Sequence, residues 1–396
     1  MNRIKLTHFF TFYNRLGGVE SLLKRHLACD SNWGLDSDLV AFFETALNDS
    51  PLTSGVGLTW RDSVLSARSR TRRCMEDKAP EVAVYHNFWG LPFLGDLDRA
   101  SRRIALLHSG WPGMQRTLEA QRGLVDGVLC VSDVLERQVR EFMPELPAER
   151  VKILPYPIAD SPCQAVHAPL AGRPMVLGFS GRVVKAQKRI DRLPELCGLL
   201  DRAGLDYRFE ILGEGADQAW LQRRLGVNPR VRMHGRKSGD EYWKILGGWD
   251  VILFTSDYEG LPISMLEAFS QGILPVYPRI DSGGDGYTTR VRSDLLYAPD
   301  DFVQVAEILK ALHSAPQETI DELRDRARGL ARAHQGDAYL RVFSEFTRQI
   351  VQVPRISASE FPTRPFYWSD CLPFGVMRRL FYRGFYRRND GGFSRP

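Results

Sequence analysis

Two carboxylates eight positions apart, Glu259 and Glu267, bracket the stretch Gly260-Leu261-Pro262-Ile263-Ser264. An ionised carboxylate accepts from two hydroxyls at once, so one of the pair can grip the hydroxyls of a sugar and the other those of a ribose. Just upstream, Asp250–Thr255 reads as a buried parallel strand, so the loop leaves the carboxyl end of a strand, where α/β sheets hold their ligands. Pro262 suits the first helical position, where its missing N–H costs nothing. The backbone N–H groups from Gly260 to Ser264 then lack intrahelical partners and face an anion such as a diphosphate. Two solvated glutamates at an ordinary strand-loop-helix junction would share this spacing. The whole string is far more specific than the spacing.

A second charged loop follows an apolar run at Met175–Gly181: Arg182, Lys185, Lys188 and Arg189 lie within eight residues. Arg182 and Lys188 are the candidates to clamp a diphosphate, the first as a fork and the second as a point charge. Charge-assisted hydrogen bonds contribute about 1.5–3 kcal/mol each and an exposed helix end about 0.3–1 kcal/mol, so the cations should dominate. Gly17-Gly18 looks like a glycine turn opening a helix, which lets backbone approach a ligand. His108 closes the run Arg103–His108 at a position where side chains point into a cleft, and His86-Asn87 repeats that geometry. Leu212-Gly213-Glu214-Gly215 suits contact with a nucleotide, although position 218 is Gln and the dinucleotide fingerprint is therefore incomplete. Asp36 with Asp38, and Asp96 with Asp98, have a spacing that can hold a metal-diphosphate complex, but their contexts favour no metal site.

Elements able to position these loops recur along the chain. Strand-like runs at 38–43, 82–86, 103–108, 127–132 and 151–155 are followed by a second series at 175–181, 207–213, 231–235, 250–255, 273–277 and 295–298. The gaps leave room for helices, the signature of doubly wound parallel sheets. Between the series, Pro155 to Pro174 carries five prolines and no periodicity, and reads as an interdomain connection. The expected division is 1–160, 161–345 and a C-terminal return helix with a basic-aromatic tail at 346–396. Two such domains facing each other create a deep ligand cleft.

Composition narrows the function classes. A length of 396 residues implies two domains, and 53 basic against 48 acidic residues are too balanced for a nucleic-acid-binding surface. Six scattered cysteines show neither disulfide nor zinc spacing, which points to a reducing, cytoplasmic setting. No apolar run is long enough for a signal peptide or a membrane span, so any membrane contact is expected to be peripheral. The segment 366–388 interleaves aromatics with arginines, a pattern that favours anionic membrane surfaces; a helix packed back on the first domain is the competing reading.

Together these residues resemble the retaining glycosyltransferases of family 4, over roughly residues 5–345. Glu259 and Glu267 look like the Glu-x7-Glu motif of that family. The resemblance implies a GT-B fold, α/β with two Rossmann-like domains facing a central cleft. It implies that Glu259 contacts the donor sugar, Glu267 the ribose, Arg182 and Lys188 the diphosphate, and His108 the transferred sugar, with Gly17-Gly18 as the glycine-rich first loop. It further implies transfer from a nucleotide-diphosphate sugar to a glycan or lipid-linked acceptor in cell-surface polysaccharide or lipopolysaccharide synthesis, with no cofactor and no metal. Two alternatives stay open: a sugar-nucleotide epimerase on the same fold, or a non-catalytic donor-binding subunit. The chain departs from the family at Tyr156-Pro-Ile-Ala159, where relatives carry Asn-Gly-Val-Asp or similar, and at Ile273–Tyr277.

Overall fold

The computed structural model describes residues 3–14, 17–45, 51–75, 78–97, 100–162, 165–355 and 366–376. The first sheet comprises β1 (Ile4–Phe10), β2 (Leu35–Ala41), β3 (Thr53–Gly55), β4 (Val82–His86), β5 (Arg102–Leu107), β6 (Gly127–Cys130) and β7 (Val151–Ile153). The second comprises β8 (Met175–Ser180), β9 (Tyr207–Leu212), β10 (Val231–Gly235), β11 (Val251–Leu253), β12 (Leu274–Pro278) and β13 (Leu296–Tyr297). Their orders are β3-β2-β1-β4-β5-β6-β7 and β10-β9-β8-β11-β12-β13, with every pairing parallel. Both domains are therefore doubly wound, as the alternating runs led one to expect. In each, the winding reverses beside the first strand, at β1/β4 and at β8/β11. Loops at the carboxyl ends of those strands line the natural ligand crevice.

Burial explains most of the strand positions. All five residues of β4 and of β12 are buried, so an apolar run marks each strand without alternation. β1 and the three-residue edge strand β3 are absent from the sequence-based series. The reason for β1 is chemical: its Thr7 and His8 are fully buried polar residues that break the apolar run. β11 is shorter than expected, because Phe254 and Thr255 already belong to the loop.

The last long helix, Ala338–Gln352, crosses back to the first domain. It presents Tyr339, Phe343, Phe346 and Ile350 as a buried stripe at helical spacing. Tyr339 Oη meets His26 Nε2 at 2.7 Å, and Phe346 and Ile350 pack over Gly127, where a Cβ would approach them to 2.7–2.8 Å. The two domains also meet directly across the crevice. Ser109 and Gly260 form an antiparallel bridge, and Arg137 pairs with Asp281 at 2.9 Å.

Candidate active site

The loop after β11 carries Glu259 into the space between the domains. Its carboxylate is buried and accepts from Lys188 Nζ at 2.5 Å and from Ser256 Oγ at 2.6 Å. Gln187 links this pair to the other cation: Arg182 donates to Gln187 Oε1 at 2.5 Å, while Gln187 Nε2 donates to the Tyr258 carbonyl at 3.2 Å. Arg182 remains exposed. Ser256 and Gln187 escaped the sequence reading, although each lies within three residues of a residue it singled out.

The other cations of the basic loop are occupied elsewhere, which separates a built site from a solvated basic loop. Arg189 Nη1 pairs with Asp257 at 3.0 Å and its Nη2 with Asp191 at 3.1 Å; Arg192 also takes Asp257, at 2.8 Å. Lys185 Nζ lies 3.9 Å over the centre of the Trp220 ring. Glycines shape the same loop. Gly213 has φ +136°, and a Cβ there would come within 1.8 Å of the Gly181 carbonyl; one at Gly215 would come within 2.4 Å of the Val183 carbonyl. The Gly213-Glu214-Gly215 turn thus holds the backbone that carries Arg182. The Glu214 carboxylate stands apart from the cluster and faces Arg236 at 3.7 Å.

Pro262 is the N-cap of the helix Ile263–Ser270 and not its first residue, a shift of one position from the expectation. Met265 N–H returns to the Pro262 carbonyl at 3.1 Å, so the N–H groups of Ile263 and Ser264 precede that bond, on the first turn. Gly260 is required by contact: a Cβ would lie 2.1 Å from the His108 carbonyl. Leu261 is buried at the same junction. Glu267, one turn into the helix, accepts from Tyr242 Oη at 2.5 Å, and Tyr242 also meets Ser180 Oγ at 3.3 Å. Burial raises the Glu267 carboxyl above its ordinary pKa, and the Tyr242 hydroxyl offsets only part of that rise.

The opposite wall belongs to the first domain. Gly17 is the N-cap of the helix Gly18–Cys29, and a Cβ on Gly18 would meet Ile263 Cδ1 at 2.5 Å and Tyr156 Oη at 3.8 Å. The glycine turn therefore faces the start of the Ile263–Ser270 helix. His108 lies immediately beyond β5, with Nδ1 3.1 Å from Tyr156 Oη and Nε2 2.7 Å from His86 Nδ1. Both ring nitrogens are engaged within the protein. Burial lowers the pKa of His108 to about 3, with His26 and His8 adding to the shift, so the ring is neutral near pH 7.

The aspartates considered for metal binding are committed to cations. Asp38 pairs with Lys78, and Asp96 with Arg68 at 2.6 Å, while Asp36 is exposed and Asp98 lies outside the described residues. The tail is also in part outside them: of 366–388, residues 366–376 are described. That portion docks on the first domain, with Phe374 N–H donating to the Asp62 carbonyl and Gly375 N–H to the Trp60 carbonyl, both at 2.8 Å. Phe366, Tyr367, Trp368 and Trp60 remain exposed.

Comparison with known proteins agrees with this architecture. The family model for glycosyl transferases group 1 matches residues 166–329, which is most of the second domain. The lipopolysaccharide 1,6-galactosyltransferase of Salmonella typhimurium is 32% identical over 149 residues, 35% of this chain and 40% of that protein. The alpha-D-kanosaminyltransferase of Streptomyces kanamyceticus is 30% identical over 156 residues, 36% of this chain and 40% of that protein. The aligned parts thus span about two-fifths of these relatives. Among solved structures, the lipopolysaccharide outer core galactosyltransferase WaaB in its apo form aligns with a TM-score of 0.63 at 17% identity, over 87% of this chain and 99% of that one. WaaG, a glycosyltransferase involved in lipopolysaccharide biosynthesis, gives 0.66 at 14% identity over 88% and 99%. The fold is GT-B.

Proposed function

We propose that this chain is a retaining glycosyltransferase of family 4 that moves a sugar from a nucleotide-diphosphate donor to a glycan or lipid-linked acceptor. The observation that carries the reading is the Lys188–Glu259 pair, tied through Gln187 to Arg182, at the carboxyl ends of β8 and β11. As the glycosidic bond breaks, negative charge develops on the departing phosphate and positive charge on the sugar ring. Arg182, Lys188 and the Ile263 and Ser264 amides stabilise the phosphate, a role in which a preorganised donor contributes about 2.7–4 kcal/mol. Glu259 binds sugar hydroxyls beside the breaking bond, and Glu267 accepts from the ribose. A diol donating to Glu267 favours its ionised form against the effect of burial. With same-face attack, the leaving phosphate takes the acceptor's proton, and His108, whose ring nitrogens are taken up by His86 and Tyr156, acts on the transferred sugar through the Tyr156 hydroxyl. The contact between Ser109 and Gly260 excludes water when the domains close.

The group 1 match and the transferase names of the relatives support this reading, and a pneumococcal O-GlcNAc transferase of the same fold was solved with UDP and GlcNAc. The lipopolysaccharide and colanic acid relatives favour a role in cell-surface polysaccharide synthesis. No described helix is long and apolar enough to cross a membrane. Exposed Trp60, Phe366, Tyr367 and Trp368 supply an aromatic surface suited to the membrane interface, on the inner face of the cytoplasmic membrane. Flotation with anionic vesicles tests this part: loss of residues 366–396 should reduce it, and unchanged flotation would contradict it.

The central experiment is a thermal-shift panel of nucleotide sugars, followed by transfer assays with and without EDTA and NMR of the product's anomeric configuration. Transfer with retention, insensitive to EDTA, is expected. Donor conversion without any acceptor would point to an epimerase, and binding without transfer to a donor-binding subunit.

A further inference from the structure

Behind His108 runs a row of buried imidazoles that no single stretch of sequence reveals. His8 in β1, His86 at the end of β4 and His108 beyond β5 come from three neighbouring strands. His8 Nδ1 lies 3.0 Å from His86 Nε2, His86 Nδ1 lies 2.7 Å from His108 Nε2, and His108 Nδ1 lies 3.1 Å from Tyr156 Oη. At the far end, His8 Nε2 stands 3.7 Å from the Asp30 carboxylate and has no hydrogen-bond partner. We propose that Asp30, acting through His8 and His86, fixes His108 as the Nε2–H tautomer, so that the His108–Tyr156 pair meets a bound sugar as a hydrogen-bond acceptor.

A neutral imidazole carries one proton, so each ring in the row donates from one nitrogen and accepts at the other. Only two orderings satisfy all three contacts: every N–H pointing toward Asp30, or every N–H pointing toward Tyr156. The second leaves a bare Nε2 lone pair on His8 facing a buried carboxylate, which is electrostatically unfavourable. In the first, His8 Nε2–H faces Asp30, His86 Nε2–H donates to His8, His108 Nε2–H donates to His86, and the Tyr156 hydroxyl donates to His108 Nδ1. The Tyr156 proton is then turned inward and its oxygen is left as an acceptor near Gly18.

The surroundings support neutral rings and a charged end. Burial lowers the pKa of His8 to about 4, with His26 adding to the shift, and puts His86 well below its ordinary value. Burial alone would raise the Asp30 carboxyl, but His26 and His8 more than offset it. The groups facing this row are His26, whose Nδ1 meets Asp30 at 3.0 Å, together with Ser37 Oγ, Asp38 and Tyr339 Oη. Glu20 faces Tyr156. Asp30, His8 and His86 are thus positioning residues, and what they position bears on which sugar substituents the crevice accepts.

That consequence rests on the proposed donor binding, whereas the tautomer does not. Full-length protein labelled with 15N-histidine, read by long-range 1H–15N correlation at pH 7, should show His108 protonated at Nε2 and bare at Nδ1. Asp30→Asn removes the charge that forbids the reverse ordering, and the Nδ1–H form should rise to a comparable population. Should that variant not fold, His86→Phe cuts the row and should likewise leave His108 a mixture. A wild-type His108 protonated at Nδ1, or a tautomer unmoved in the folded variant, would overturn the proposal. Bound metal would overturn it as well: His8, His26 and Asp30 offer three ligand atoms within 4.8 Å of one another, and a metal on His8 Nε2 imposes the opposite ordering. Elemental analysis of the purified protein reads that outcome. In calorimetry, Asp30→Asn should weaken binding of the nucleotide sugar about twofold, because about half of the protein then keeps the accepting tautomer, and leave the free nucleoside diphosphate unaffected. Equal weakening of both would refute sugar reading by the row, and absence of any nucleotide binding would refute the donor assignment while the NMR result still decides the tautomer.

Discussion

The two walls of the crevice are built on opposite physical principles. On the second domain, Arg182, Lys188 and Glu259 gather opposite charges with hydrogen bonds to Ser256 and Gln187, and Arg182 stays exposed. On the first domain, His108, His86 and His8 are buried and neutral, and the Asp30 carboxylate lies at the far end of their row. The cations of the charged wall suit a diphosphate but discriminate little, because a cation meets any oxygen, and on the proposed reading Glu259 alone of that trio meets sugar hydroxyls. A wall of neutral donors and acceptors binds weakly yet discriminates, since a mismatched buried hydrogen bond is left unmade. On the proposed reading, placing one opposite the other would let affinity and selectivity be tuned separately.

That contrast can be broken by experiment. The largest effect is expected from Arg182→Ala, which should lower turnover by roughly a hundredfold or more while leaving the fold intact. Near-normal transfer would remove Arg182 from the charged wall. Next is the acid response of the neutral wall. The folded pKa of His8, about 4, lies below its ordinary 6.5, so the unfolded chain binds the extra proton first. Its stabilising contribution is complete above pH 6.5 and disappears as the pH falls through about 4, a loss on the order of 3 kcal/mol. Denaturant melts at pH 7.5 and pH 4.5 measure it, and His8→Asn should flatten the slope. Equal stability at both values would mean that the row is not neutral when folded.

Smaller effects sharpen the boundary of the charged wall. Glu267→Ala should weaken nucleotide binding about tenfold or somewhat more, the range of a hydrogen bond to a charged group. Unchanged calorimetric affinity would remove Glu267 from the ribose site. Glu214→Ala should change neither binding nor transfer measurably, because that side chain is exposed and 3.7 Å from Arg236. A loss as large as that of Glu267→Ala would show that the charged wall extends further than the structure draws it.

The same contrast explains what could be read from the sequence. Glu259, Gly260 and Glu267 lie on one continuous string, and Arg182 and Lys188 on another, so local spacing reveals them. The doubly wound sheets were legible because buried parallel strands leave apolar runs. The histidine row was not legible, because its members stand 78 and 22 positions apart and meet only when β1, β4 and β5 align in register. His8 hid further by breaking the apolar run of β1, which concealed that strand too. Tyr156 stood out only as a departure from a familiar pattern. The structure gives it a role, since its hydroxyl closes the row at His108.

Calorimetric titration of wild type and Lys188→Ala with a panel of nucleoside diphosphates addresses the charged wall most directly. At least one nucleoside diphosphate should bind the wild type, and the variant should lose at least tenfold in affinity, the lower range for a charge-assisted hydrogen bond. Equal affinity in the two proteins, or no binding by any of the panel, would contradict the diphosphate assignment.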